Sequence, residues 1–427
     1  MAIVHAPSAG IPSAPRKALR DPGVDLVRAA CVIGVVLLHA IMVGVVVTDA
    51  GPVFTNASDD SWWIVPVSWA LQVMPLFFII GGFAGVLAYR RLREQGGTAS
   101  GFIAARVHRL LRPALVVVGV AGAALALLSL AGVPPEIVAT AGFRYGQPLW
   151  FLGVFLLCQA LLPALSALHD RAPVRTLAAF GAAALAVDAI RGLSGIEAVG
   201  FLNLGFVWLT LQQLGFFLAD GALDALSRRT RAVLAGASAT LLFAAFAAGV
   251  YSPDLIANIN PPTCALLLVG AIHLCLLSLF RERLAAVSLR PRLAAVSSFV
   301  NRRTMTIYLW HMPVLLVMAG ASAAFALATG AALPAPGNAS WWLGRPLWLT
   351  AALALTALAA LLAARFEQRP APAFTGRPLP AACLGAASVA LLLVAGTSPL
   401  TAAVAVLGML AALRVAAPGG TRSVPST

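Results

Sequence analysis

Apolar runs of about 20 residues follow one another along the chain, separated by short segments that carry arginine or proline. A helical run of that length matches the hydrocarbon layer of a bilayer, roughly 30 Å thick. The pattern predicts about twelve spans. They fall near Val24–Val47, Val65–Ala88, Pro113–Gly132, Pro148–Leu168, Thr176–Val187, Phe201–Asp220, Ala232–Tyr251, Thr263–Phe280, Thr304–Thr329, Pro346–Ala364, Ala381–Gly396 and Pro399–Leu413. The expected fold is therefore all-α, a polytopic transmembrane bundle of about ten core helices with an added C-terminal hairpin. By this reading residues 1–22 form a disordered cytoplasmic tail, 24–380 the membrane domain, 381–416 the extra hairpin and 417–427 a flexible tail.

Composition agrees with the pattern: 60% of residues are hydrophobic and 10% charged, and the mean hydropathy is +0.92. A formal charge of +14 raises nucleic acid as a partner. The placement of that charge excludes it. Of 29 basic residues, Arg144, Arg191 and Arg345 fall in expected outer loops, Arg28 lies inside the first span, and the rest sit on the side of the N-terminus. Positive loops resist translocation, so the N-terminus is expected in the cytoplasm of a cell-membrane protein. The five cysteines lie within or beside spans without CxxC spacing, and acidic groups are sparse there, so neither disulfides nor a metal site is expected.

Ionisable groups inside the bilayer are costly and are candidates for function. The first span holds Arg28 and, eleven residues on, His39. At 100° per residue that separation returns to within about 20° of the same face, roughly 16 Å deeper along the axis. Snorkelling of Arg28 with an Asp25 pair, and a helix-packing bond from His39, also satisfy the pattern. The ninth span carries His311 in Tyr308-Leu309-Trp310-His311-Met312-Pro313, where the proline removes a backbone donor beside the histidine. Span two contains Pro75-Leu76-Phe77-Phe78-Ile79-Ile80-Gly81-Gly82-Phe83, whose glycines permit close backbone approach. Between spans two and three an expected inner loop, Arg90–Arg112, contains Arg106-x-x-Arg109-x-x-Arg112. Three arginines on one helix face suit either an anion cradle or lipid headgroups. His273 and the Asn258–Pro262 turn have no assigned role, and His5, His108 and His169 are expected in water or at the interface.

Together these segments resemble the membrane acyltransferase-3 family, in particular its actinobacterial-like branch. The resemblance rests on Arg28-x10-His39, PLFFIIGGF, RVHRLLRP, QPLWFL at Trp150, NPPT at Asn260–Thr263 and TIYLWHMPV at His311, in that order over about Val24–Pro370. It implies a cytosolic acyl-CoA donor, acetyl-CoA foremost, and O-acylation of a hydroxyl on a glycan, lipid or natural product. One departure is Gly81, where many relatives have serine. On this reading Arg28, Arg90, Arg91, Arg106, Arg109 and Arg112 bind the donor's phosphates, His39 is the general base, and His311 positions the acceptor or polarises the carbonyl. A transporter or flippase using Arg28, His39 and His311 to line a permeation path is the rival, since intramembrane Arg and His suit both tasks. A non-catalytic scaffold is a third reading.

Overall fold

The computed structural model describes residues 21–49, 51–368 and 377–417, so most of the two expected tails, and His5, lie outside the described residues. Helix α1 (Pro22–Met42) starts at Asp21, whose carboxylate accepts from the Gly23 and Val24 amides at 2.9 and 3.1 Å. Proline at its first position needs no amide partner, which suits a helix start. The apolar run continues to Val47, but the helix does not. Val43–Thr48 (β1) and Gly51–Asn56 (β2) pair as an antiparallel hairpin, Val43 opposite Asn56. Three consecutive valines, Val45 to Val47, are stiff at χ1 and favour the pleated chain, so the first span ends at Met42 rather than Val47.

Elsewhere the chain is helical. Helices α2 (Ile64–Leu71) and α3 (Met74–Glu94) divide the second span at Gln72-Val73. The segment expected as an inner loop, Arg90–Arg112, is a loop only near Gln95–Thr98. Its first arginines end α3 and the others lie on α4 (Ala99–Leu130), where the Thr98 hydroxyl accepts from the Gly101 amide. There follow α5 (Pro135–Gly146), α6 (Trp150–Arg171), α7 (Pro173–Ser194), α8 (Asn203–Ala219), α9 (Arg228–Ala247) and α10 (Ala265–Ser288). The fifth span is thus longer at both ends than the Thr176–Val187 core read from hydropathy. The chain closes with α11 (Pro291–Arg302), α12 (Thr304–Thr329), α13 (Ala339–Gln368), α14 (Pro378–Val394) and α15 (Pro399–Val415). Among the described residues, 10 helical stretches are long and apolar enough to cross a membrane, and α14 and α15 are shorter apolar helices.

Lipid tails give apolar side chains little reason to choose a neighbouring helix, so tight seams form where side chains are smallest. Along the α3–α8 seam, Gly82 lies against the Gln212 backbone, where a Cβ would stand 3.0 Å from the Gln212 carbonyl carbon. Gly215 answers from α8, where a Cβ would meet Phe83 N at 2.6 Å and Gly82 Cα at 3.0 Å. The terminal hairpin packs on the bundle in the same way. Ala402 sits over Gly122 of α4, and Gly385 lies against Leu111 of α4 and Leu156 of α6.

At the end of α7, Asp188 ties the Asn258–Pro262 turn into the bundle. Its carboxylate accepts from Tyr251 Oη, the Cys264 amide and Asn203 Nδ2, each at 2.8 Å. Asn258 Oδ1 in turn accepts from Thr263 Oγ1 at 2.8 Å. The polar residues around NPPT thus have a local task, fixing the start of α10.

Candidate active site

Arg28, Val32, Val35 and His39 recur at four, three and four residues and form one stripe of α1. Val32 and Val35 line a cavity of about 20 Å³ together with Met74 and Phe77 of α3, Phe151 of α6, and Thr304 and Tyr308 of α12. That volume holds about one water. Between the arginine and the histidine foreseen on a common face, α1 thus borders a small, largely apolar cavity that neither of them lines.

At the deep end of the stripe stand two histidines. The His39 and His311 rings have centroids 4.9 Å apart and planes tilted by 57°. His39 Nδ1 lies 2.9 Å from the Val35 carbonyl, and His311 Nδ1 bonds the Tyr308 carbonyl. A carbonyl oxygen only accepts, so each Nδ1 carries the proton, and in the neutral ring each Nε2 then keeps its lone pair. His311 is 1% exposed. Its Nε2 is buried without a hydrogen-bond partner among the described residues. Pro313 leaves the Leu309 carbonyl without its helical donor one turn away.

Three of the segments that carried the family resemblance, PLFFIIGGF, QPLWFL and TIYLWHMPV, meet beside this pair. Tyr308 Oη donates to the Pro148 carbonyl, and its ring meets Phe151 edge-on at 4.8 Å. Phe151 also contacts Phe77 at 5.2 Å, while Trp208 stacks between Phe78 and Trp150 at 4.4 and 5.3 Å. Gly81 faces Phe155, whose ring would lie 3.1 Å from an added Cβ, so an aromatic edge occupies the neighbourhood of the absent serine.

At the other end, Arg28 donates through Nε to Asn301 Oδ1 at 2.8 Å and pairs with Asp25 at 3.1 Å. Asn301 closes the loop by donating to the Asp25 carbonyl at 2.8 Å. Arg106 stacks on Phe102 at 4.7 Å and feels the charges of Arg28 and Arg109. No carboxylate pairs with it among the described residues. Arg91 and Arg109 are exposed and Arg112 is half-buried.

Arg90 is placed differently. It bridges Asp170 and Asp220 at 3.0 and 2.5 Å, and Asp220 also meets His169 Nε2 at 3.0 Å. Burial alone would raise the Asp220 carboxyl, but Arg90 and His169 outweigh it and hold the pKa below the usual carboxylate range. His169 is 2% and His108 4% exposed, so neither of these residues, expected in water or at the interface, stands in water. Gln213, 2.8 Å from His169 Nδ1, and Asp220 supply the polar partners that make its burial tolerable.

Two contributors had not been foreseen. Asn301 orients Arg28, as above. Glu367, buried near the end of α13, accepts from the Thr306 amide and hydroxyl at 2.9 and 2.6 Å and from the Met305 amide at 3.3 Å. A carboxylate at the N-terminus of α12 suits the positive end of the helix dipole. It also fixes the start of the helix that carries His311. Among the described residues no three His, Cys, Asp or Glu side chains cluster as a metal site would require.

Ten helical stretches among the described residues that are long and apolar enough to cross a membrane mark a polytopic integral membrane protein. Residues 21–413 match the family model described as an acyltransferase domain, so the chain belongs to the acyltransferase-3 family and is a membrane acyltransferase. No curated protein and no solved structure matches it.

Proposed function

We propose that this acyltransferase moves an acetyl or other short acyl group from cytosolic acyl-CoA to a hydroxyl of a glycan, lipid or natural product. The reading rests on one observation above the others: two histidines with tethered Nδ1 atoms face each other at 4.9 Å, at the end of the stripe that begins at Arg28. The N-terminus and the arginine cluster lie on the cytoplasmic side in this proposal, in line with the charge bias of the loops. Arg28, Arg106, Arg109 and Arg112, with Arg91 at the rim, take the phosphates of CoA. Arg106 suits this role because its guanidinium lacks a carboxylate among the described residues. Arg90, held by Asp170 and Asp220, braces the wall beside them.

The thioester arm runs past Val32 and Val35 to His39. Since the cavity there takes about one water, the arm enters as Met74 and Phe77 swing aside. His39 Nε2 removes the proton of the acceptor hydroxyl as its oxygen attacks the thioester carbonyl. The tetrahedral adduct then expels CoA thiolate, and the imidazolium returns the proton to sulfur. His311 Nε2 offers a second lone pair on a ring 4.9 Å from that of the base, placed to accept from a neighbouring donor group of the acceptor and so orient the hydroxyl that His39 deprotonates.

Reconstitution in sealed vesicles tests the proposal. CoA thiol released in step with a hydroxylated acceptor supports the transferase. Acceptor-sized solute flux without any acyl-CoA, and no thiol release with it, would overturn it in favour of a carrier.

A further inference from the structure

The sequence put Arg345 in an outer loop, but it lies inside α13, on the stripe Trp341, Arg345, Trp348 and Ala352. That stripe faces inward: Trp341 is 3% and Ala352 0% exposed, while Leu343 and Leu347 on the opposite face are 83% and 77% exposed. Snorkelling outward through lipid is therefore not what places this arginine. Its guanidinium lies over the Trp341 ring at 3.9 Å and 5.2 Å from the Trp348 ring. Trp348 Nε1 donates to the Ala40 carbonyl at 2.9 Å, so the cage is anchored on α1 one residue beyond His39. Nη1 is buried with no hydrogen-bond partner, and no carboxylate pairs with Arg345 among the described residues. The residue as a whole is half-buried.

Two indoles fix the plane of the guanidinium and leave an edge of N–H donors unanswered. Such an edge matches two oxygens of a phosphate or carboxylate. Arg345 stands six residues into α13, about 9 Å along its axis, near headgroup depth, where phosphate is the abundant oxyanion. We propose that Arg345 and its tryptophan cage form a phosphate-binding site on the far side of the histidine pair from the arginine cluster, and that it receives the phosphate of the acceptor. The word acceptor rests on the acyl-transfer reading above; the phosphate site does not.

The test uses the full chain purified in neutral maltoside micelles, with inorganic phosphate and phosphatidylglycerol as separate probes. Saturable tryptophan fluorescence changes and thermal stabilisation are expected with at least one probe. Arg345→Gln should weaken binding by about tenfold or more and Arg345→Lys by less, because a point charge replaces a two-pronged donor. A parallel measurement needs no variant: phenylglyoxal labelling of the unaltered protein, read by peptide mass spectrometry, should be slowed at Arg345 by the same probe. Both probes acting identifies a free phosphate ester, and phosphatidylglycerol alone a lipid-borne one. Unchanged labelling at Arg345 with both probes, or unchanged affinity in folded Arg345→Gln, overturns the proposal. Protection of Arg345 in a protein that turns over no thioester would sink the acyl-transfer reading and leave the site standing. Turnover without protection would do the reverse.

Discussion

Replacing His39 with alanine separates chemistry from architecture. The side chain is half-buried, and among the described residues its hydrogen bond is to the carbonyl of Val35, four residues back on its own helix. That carbonyl keeps the backbone amide of His39, so the bond lost is a neutral one of about 0.5–1.5 kcal/mol. Loss of the ring contact with His311 adds about 1 kcal/mol at most. The variant should insert and fold with a melting temperature within a few degrees of the parent. General-base catalysis, by contrast, typically supplies ~10²–10⁴-fold in rate, about 2.7–5.4 kcal/mol of barrier at 1.36 kcal/mol per decade. His39→Ala should lower kcat by that factor, and His39→Gln, polar and of similar reach but without a basic nitrogen, should lower it as far. The assay is initial-rate CoA thiol release by purified protein that elutes as a single species, with melting followed in the same detergent. Parental turnover in folded His39→Ala would remove the general base and the mechanism with it.

Asn301→Ala frees Arg28 Nε, so the KM for acyl-CoA should rise about tenfold, the worth of one hydrogen bond to a charged group, while kcat changes less than about twofold; an unchanged KM and an unchanged thermal shift with CoA would detach Arg28 from donor binding. Gly82→Ala drives a methyl into the Gln212 backbone and should cost about 3 kcal/mol. Gly119→Ala, whose Cβ meets Val406 at an ordinary 3.8 Å, should be neutral or slightly stabilising, and equal melting of the two variants would refute the tight α3–α8 seam. Asp220 has a lowered carboxyl pKa, so it binds fewer protons folded than unfolded near pH 4; its stabilisation is present above the ordinary carboxylate range and is lost as pH falls through the lowered value. Asp220→Asn should therefore melt earlier than the parent at pH 7, with the gap closing below about pH 4, and a gap that persisted at low pH would show that the Arg90–His169 pairing does not supply it.

Hydropathy located the crossings because burial in lipid demands length and apolarity whatever the partner helix. It was silent where apolar side chains serve two backbones equally well: the valines after Met42 extend a helix on a hydropathy scale but form a strand once Gly51–Asn56 folds back to pair with them. Arg28 and His39 were legible because helical period alone puts them on one face. The approach of His311 to His39 was not, since it depends on how α12 packs against α1. The burial of His169 within the protein was not legible for a related reason: the groups that satisfy it, Gln213 and Asp220, lie 44 and 51 positions on. Asn301 and Glu367 gave no signal, because an amide or carboxylate near a helix end reads as interfacial until its partner helix is known.

The seating of the last two helices on α4 carries a consequence for biogenesis. Leu111, on the turn beside Arg109 and Arg112, rests against Gly385, which the ribosome makes 274 positions later. At about 5–20 residues per second, that helix waits roughly 14–55 s in the translocating membrane before its final neighbour exists. A nascent chain thus carries α4 with this one face uncovered until α14 has been made, although earlier helices already pack on its other sides.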